Sequence, residues 1–150
     1  MKLKSAIWIA LCSLRLVGFK VSAAARFFHL ESRDVGFYAV EDAPGLGYAV
    51  LHGDPGWEGD YVIRLRIPPG QLFPPHFHDQ DRFITVITGT WAFGRGDSGK
   101  CEDTIPLDAG AYVLHPKGAV HFDGSCGDET VEVQIIGQGP VKTTWIDAAE

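Results

Sequence analysis

Basic residues are scarce in this chain and unevenly placed. Lys and Arg number 13 against 19 Asp and Glu. Four of the 13 (Lys2, Lys4, Arg15 and Lys20) fall in the first 25 residues, which hold no acid, so residues 26–150 carry nine cations against 19 anions, a balance of −10. A nucleic-acid binder presents a basic face or stripe, and this balance excludes that class. Long apolar runs are missing too. The run from Ser5 to Leu14 is ten residues long, well short of the roughly 20 that span a bilayer, so no stable membrane span is expected. Cysteine is limited to Cys12, Cys101 and Cys126, with no metal or redox spacing among them. Helical periodicity is absent after the first 25 residues, apart from a turn near Ala24 to Leu30. A domain of this length buries roughly 68–70% of its unfolded surface, so it needs neither disulfide nor metal to hold a core, and a metal would serve function.

The charge boundary separates two segments. Residues 1–25 read as a basic start, a short apolar run and a small-residue stretch, Val21-Ser22-Ala23-Ala24-Ala25, that offers small-x-small cleavage sites. This is the three-part pattern of a secretory signal, and it predicts a periplasmic or secreted protein. Arg15 and Lys20 depart from it, and an N-terminal anchor or an uncleaved amphipathic helix are the alternatives. Residues 26–150 form the second segment, a single domain with no repeat and no long linker.

Turn chemistry organises the domain. It holds 17 of the 18 Gly and all nine Pro, recurring every eight to twelve residues between short apolar runs, which is the rhythm of an all-β sandwich or barrel. Tyr61, Ile63, Leu65 and Ile67 alternate with Val62, Arg64 and Arg66, and Val131, Val133 and Ile135 with Glu132 and Gln134, as in half-buried strands. Further strands are predicted over 46–52, 72–78, 83–88, 90–95, 111–115, 119–122 and 141–146. So many short antiparallel strands leave exposed edges unless the sheet closes into a barrel or doubles into a jelly roll.

His76-Phe77-His78 is the main local signal for chemistry. Residues two apart on a strand face the same side, so both imidazoles project from one wall, as two ligands of one metal ion must. Alone, the pair also reads as two surface histidines beside a turn. Its setting is Gly70-x5-His76-x-His78-x3-Arg82-x6-Gly89, followed by Gly110-x5-Pro116-x-Gly118-x2-His121-x3-Ser125. These blocks resemble the paired motifs of the cupin superfamily. His52-Gly53-Asp54-Pro55, Gly59-Asp60-Tyr61, Arg64 and Ile136-Gly137-Gln138-Gly139-Pro140 resemble small single-domain bacterial cupins, over about residues 46–142.

The resemblance implies an all-β jelly-roll barrel, preceded by the leader helix, in which His76, His78 and His121 converge on a divalent metal ion near the barrel mouth. The family's metals include iron, manganese, nickel and zinc, and its members are usually homodimers formed through outer sheet faces. Strand parity agrees on the third histidine, since Ala119, His121 and Asp123 share the inward face. In a jelly roll, Cys101 and Cys126 fall at opposite ends of adjoining strands, which argues against a disulfide.

One position departs from the pattern. Arg82 stands where the family places a glutamate ligand, and a guanidinium cannot coordinate a cation. Three arrangements remain open. The three histidines hold the metal alone, Asp81 or Asp79 supplies an oxygen ligand after a one-residue slip, or the site is metal-free and the histidines act as acid and base. Parity favours the first: Arg82, Ile84 and Val86 share the inward face and Asp81 points out, and a slip would reverse the whole strand. Arg82 then either grips a substrate anion or pairs with Asp79 or Asp81 at the rim. His29, His52 and His115 read as surface or satisfied polar residues, with His115 close enough by parity to support a ligand. Three functions follow: a metal-dependent enzyme of oxygenase, isomerase or lyase type on a small organic substrate, a non-catalytic cupin that binds a small ligand or metal, and a metal-free cupin using the histidines for proton transfer.

Overall fold

The computed structural model describes residues 26–146. Residues 1–25, where a signal peptide is expected, and Cys12 among them, lie outside the described residues. Eleven strands follow in chain order: β1 (Tyr38–Val40), β2 (Ala43–His52), β3 (Gly59–Ile67), β4 (His76–His78), β5 (Arg82–Thr88), β6 (Trp91–Arg95), β7 (Thr104–Leu107), β8 (Tyr112–His115), β9 (His121–Gly124), β10 (Val131–Gly139) and β11 (Thr143–Trp145). They form two antiparallel sheets, ordered β1-β2-β3-β10-β5-β8 and β11-β4-β9-β6-β7. This is the jelly-roll arrangement: from β3 onward the chain passes from one sheet to the other at every connection except β6 to β7, and each sheet covers the inner face of its partner.

The period-two pattern produces that inner face. Tyr61, Ile63, Ile67, Ile84, Val86, Val131, Val133 and Ile135 from the first sheet are buried against Trp91 and Phe93 from the second, with Leu46 closing one end. Each such side chain, fully buried, stabilises the fold by about 1.5–3 kcal/mol. The outward residues of β3 and β10 pair by the same register: Arg66 lies opposite Glu132 and Arg64 opposite Gln134. Arg64 donates to Gln134 at 3.1 Å and to Glu132 at 3.2 Å, and Arg66 to Glu132 at 3.3 Å.

Two strands escape the apolar pattern, both at sheet edges. β1 is three residues long, and β7 carries Pro106, which an edge strand tolerates because its missing N–H faces away from the ladder. The 72–78 segment shortens for the related reason that Pro74 and Pro75 donate no backbone hydrogen bond. Only His76–His78 pairs as a strand, and Leu72 makes a lone bridge to Gly124. Residues 26–30 have no helical turn, and a short 3-10 helix follows at Ser32–Asp34.

The expectation against a disulfide is corrected. Cys101 and Cys126 are bonded, with Cα atoms 5.8 Å apart. The register does place the start of β7 and the end of β9 toward opposite ends of β6, since Thr104 pairs with Gly94 and Gly124 with Ala92. What strand order does not convey is the path of the connection between β6 and β7. Its last residues, Cys101–Asp103, form a 3-10 turn that packs against β6 and brings the thiol back to Cys126.

Two glycines admit aromatic rings across the strands. Gly94 lies opposite Phe122, and a Cβ there would sit 2.1 Å from the ring. Gly137 lies opposite Tyr61, and a Cβ there would meet the phenol oxygen at 2.6 Å. Phe122 is fully buried and has no room to retreat. Gly94→Ala is therefore expected to destabilise the protein by about 1–3 kcal/mol, the usual range for overpacking. Urea denaturation checks this, and an unchanged midpoint contradicts it.

Candidate metal centre

Two strands bring the motif histidines together. His76 and His78 project from β4 into the barrel because they share parity, and β4 pairs with β9 through a single register position, His76 opposite His121. The ring centroids of His76 and His121 lie 4.3 Å apart, with His78 5.0 Å from His76 and 5.2 Å from His121. All three are buried. One nitrogen from each lies within 4.8 Å of the others, a spacing suited to a common ion.

The hydrogen bonds assign the same tautomer to all three. Nδ1 of His76 lies 2.8 Å from the Pro74 carbonyl and Nδ1 of His121 lies 2.9 Å from the Ala119 carbonyl, so each Nδ1–H donates and each Nε2 keeps its lone pair. Outer carbonyls of this kind orient histidines that ligate metals. His78 shares the tautomer: its Nδ1 lies 3.0 Å from Thr143 Oγ1, and its Nε2 accepts from Arg82 Nη1 at 2.7 Å. Thr143 reaches it because β11 pairs with β4, Thr143 opposite His78 and Trp145 opposite His76. The Trp145 ring covers His76 at 4.7 Å.

Arg82 faces inward, as parity predicts. It opens β5, opposite His115 of β8, so the two share a face. Neither aspartate of the preceding turn pairs with it. Asp79 accepts the Lys142 amide at 2.7 Å, and exposed Asp81 accepts the Lys117 amide at 2.7 Å. The structure thus places Asp81 away from the histidines, engaged as a turn cap. Arg82 Nε is buried without a partner among the described residues.

Two further groups complete the pocket. His115 is buried, and its ring lies 3.7 Å from that of His121, 5.3 Å from Phe93 and 5.8 Å from Trp91. Asp123, two residues beyond His121, is also buried, and its Oδ2 lies 3.7 Å from His121 Nε2 and 4.0 Å from His76 Nε2. The inward parity of Asp123 is legible in the sequence. Its approach to His76 depends on the pairing of β4 with β9, which is not.

Burial sets the protonation of the cluster. It is the main force pushing His78 down to about 2, with Arg82, His76 and His121 adding to it. Burial likewise takes His115 to about 2, helped by His121 and Arg82. His121 is lowered mainly by burial, against the pull of Asp123 and the Ala119 carbonyl. Neutral imidazole is the form that ligates metals. The donor set fits a divalent cation: one nitrogen each of His76, His78 and His121 gather within 4.8 Å, and a second such group, His115, His121 and Asp123, shares His121 with it. Beside them opens a cavity of about 510 Å³, whose walls include Leu46, Ile63, Leu65, Ile84, Val133 and Ile135.

Two packed antiparallel sheets with motif histidines at the open end of the barrel define a cupin. The chain belongs to the family of the ChrR cupin-like domain, whose model matches residues 26–142. Among curated proteins it is 29% identical over 76 residues to germin-like protein subfamily 3 member 2 of Arabidopsis thaliana, covering 50% of this chain and 34% of that one. It is 29% identical over 93 residues to germin-like protein 9-3 of Oryza sativa subsp. japonica, covering 61% of this chain and 42% of that one. The matches thus span about a third and two fifths of those relatives. Among solved structures, the polyketide cyclase RemF from Streptomyces resistomycificus superposes with a TM-score of 0.64 at 20% identity, covering 81% of this chain and 88% of that one. A sugar phosphate isomerase of the cupin superfamily from Silicibacter pomeroyi gives 0.62 at 17% identity, covering 79% and 82%. DMSP lyase DddQ from Ruegeria pomeroyi gives 0.56 at 16%, covering 74% and 60%. These likenesses establish the fold.

The lowered histidines link stability to pH. In the unfolded chain His78 and His115 take up protons below about pH 6.5, but in the folded protein only near pH 2. Between these values the unfolded state binds more protons, so their contribution is complete above pH 6.5 and is lost as pH falls below it. The urea midpoint is expected to decline from pH 7 toward pH 4, and His115→Phe, which keeps the aromatic packing, to flatten the decline. An identical pH profile for the variant contradicts this.

Proposed function

We propose that this cupin is a metal-dependent enzyme of oxygenase, isomerase or lyase type acting on a small organic anion. His76, His78 and His121 hold a divalent iron, manganese, nickel or zinc ion, and Arg82 contacts the substrate. The observation that carries the reading is the shared tautomer of the three buried imidazoles, each fixed at Nδ1 with Nε2 turned inward. When bound, such an ion supplies Lewis-acid polarisation of a substrate oxygen or, if iron, access to dioxygen chemistry.

The chain's own residues define the substrate class. Among the described residues Arg82 has no carboxylate partner, and its guanidinium lies at the edge of a cavity with largely apolar walls. A planar guanidinium in that position suits a carboxylate or enolate bound through paired hydrogen bonds. The walls suit an apolar body and exclude water from it. His78 would hold the ion through Nε2 once the Arg82 guanidinium, 2.7 Å from that nitrogen, turned to a substrate anion. The metal-free reading draws little support from His78, because an imidazole that burial holds near 2 is a poor base at neutral pH. The disulfide supports an oxidising compartment and so an exported protein.

Elemental analysis after reconstitution with iron, manganese, nickel and zinc in turn tests the metal. Close to one equivalent is expected in the wild type and a large loss in His76→Ala, and a wild type that retains none of the four rejects the reading. Arg82→Gln is expected to weaken binding of a small aromatic carboxylate by about tenfold or more, the range for a hydrogen bond to a charged group. Isothermal titration with benzoate checks this, and equal affinities for the two proteins count against a substrate role for Arg82.

A further inference from the structure

The geometry points to Asp123 as the oxygen ligand of this centre, in place of the glutamate that the family puts where Arg82 stands. The inference rests on the metal-binding reading above and concerns which side chain completes the ligand set.

The Asp123 carboxyl comes close to two of the motif imidazoles, and it forms with His115 and His121 a group whose ligand atoms lie within 4.8 Å of one another. Asp123 Oδ2 is 3.7 Å from His121 Nε2 and 4.0 Å from His76 Nε2, too long for hydrogen bonds. Both imidazoles have spent their N–H on backbone carbonyls, so neither donates to the carboxylate as a neutral ring. His121 Nε2 is buried with no partner among the described residues. Asp123 is 8% exposed, and no side-chain hydrogen bond reaches it among the described residues. A buried carboxylate without donor or counter-charge is costly, and a cation shared with the two imidazoles removes that cost. Ligand atoms at about 2.1 Å from one ion stand about 3.0 Å apart in octahedral and about 3.4 Å apart in tetrahedral geometry, so closing on a metal shortens these separations by about 0.3 to 1 Å.

Placement and charge agree. Asp123 follows His121 by two residues on β9 and so shares its face. Its backbone carbonyl accepts the Phe73 amide at 2.8 Å, and the neighbouring Gly124 lets the chain at Gln71 and Leu72 lie directly on the strand, where a Cβ would be 2.2 Å from the Gln71 carbonyl. A divalent ion beside the Arg82 guanidinium concentrates positive charge in a buried pocket, and Asp123 is the carboxylate positioned to offset it. Asp79 and Asp81 are already committed to the amides of Lys142 and Lys117.

The test compares wild type, Asp123→Asn, Asp123→Ala, Asp81→Asn and His76→Ala by zinc titration calorimetry and by the visible spectrum of the cobalt(II)-loaded protein. Asp123→Asn and Asp123→Ala are expected to bind zinc at least tenfold more weakly and to shift the cobalt bands, with Asp81→Asn unchanged. After chelator treatment, Asp123→Asn is expected to melt at or above the wild-type temperature, because no side-chain hydrogen bond to the carboxyl is lost among the described residues. A lower melting temperature would show a structural role and overturn the assignment. If His76→Ala loses the metal while both Asp123 variants keep wild-type affinity and spectrum, the assignment fails and the metal centre stands. If the wild type binds neither ion, both fail.

Discussion

Antiparallel pairing of β4 with β9 sets His76 directly across from His121, and the pocket is arranged around that register. Parity along β4 brings His78 to the same wall, and parity along β9 brings Asp123. β11 pairs on the other side of β4 and places Thr143 and Trp145 against the two histidines. The opposing sheet adds Arg82 and His115 through its own register. Because side chains alternate strictly along a strand, slipping any one of these ladders by a residue would remove its contribution to the site altogether.

The electrostatics follow from depth. Imidazoles this well buried stay neutral, and the cationic guanidinium nearby reinforces that state. The cluster is therefore rich in lone pairs and poor in protons, which suits coordination more than acid and base exchange. Arg82 inverts the usual charge at its motif position without leaving the inward face. The pocket thus holds a fixed cation beside buried imidazoles, with Asp123 also among its lining.

Much of this was legible in the sequence, because period two is a local rule. The alternation in β3, β5 and β10 identified the buried faces, and the glycine-framed blocks identified His76, His78, His121 and the inward turn of Arg82. The pocket's remaining parts depend on contacts between segments distant in sequence. Parity already puts His115 within reach of a supporting role, but its contact with the His121 ring appears only when the strands are assembled. Asp123 is visibly inward, but its distance from His76 is set by a strand more than forty residues away. β7 was hidden by Pro106, and the disulfide by the folded-back path of a loop that no periodicity describes.

That disulfide divides the centre in a way strand order does not suggest. Cys101 and Cys126 are 25 residues apart, and the covalent ring they close contains β7, β8 and β9, with His115, His121 and Asp123. His76, His78 and Arg82 lie outside it. The unfolded chain thus keeps one half of the pocket inside a small closed loop, which restricts the conformations that half must search. A peptide bond cut within the ring would leave its two ends tethered through sulfur, so the half of the pocket it carries could not drift away as a separate fragment.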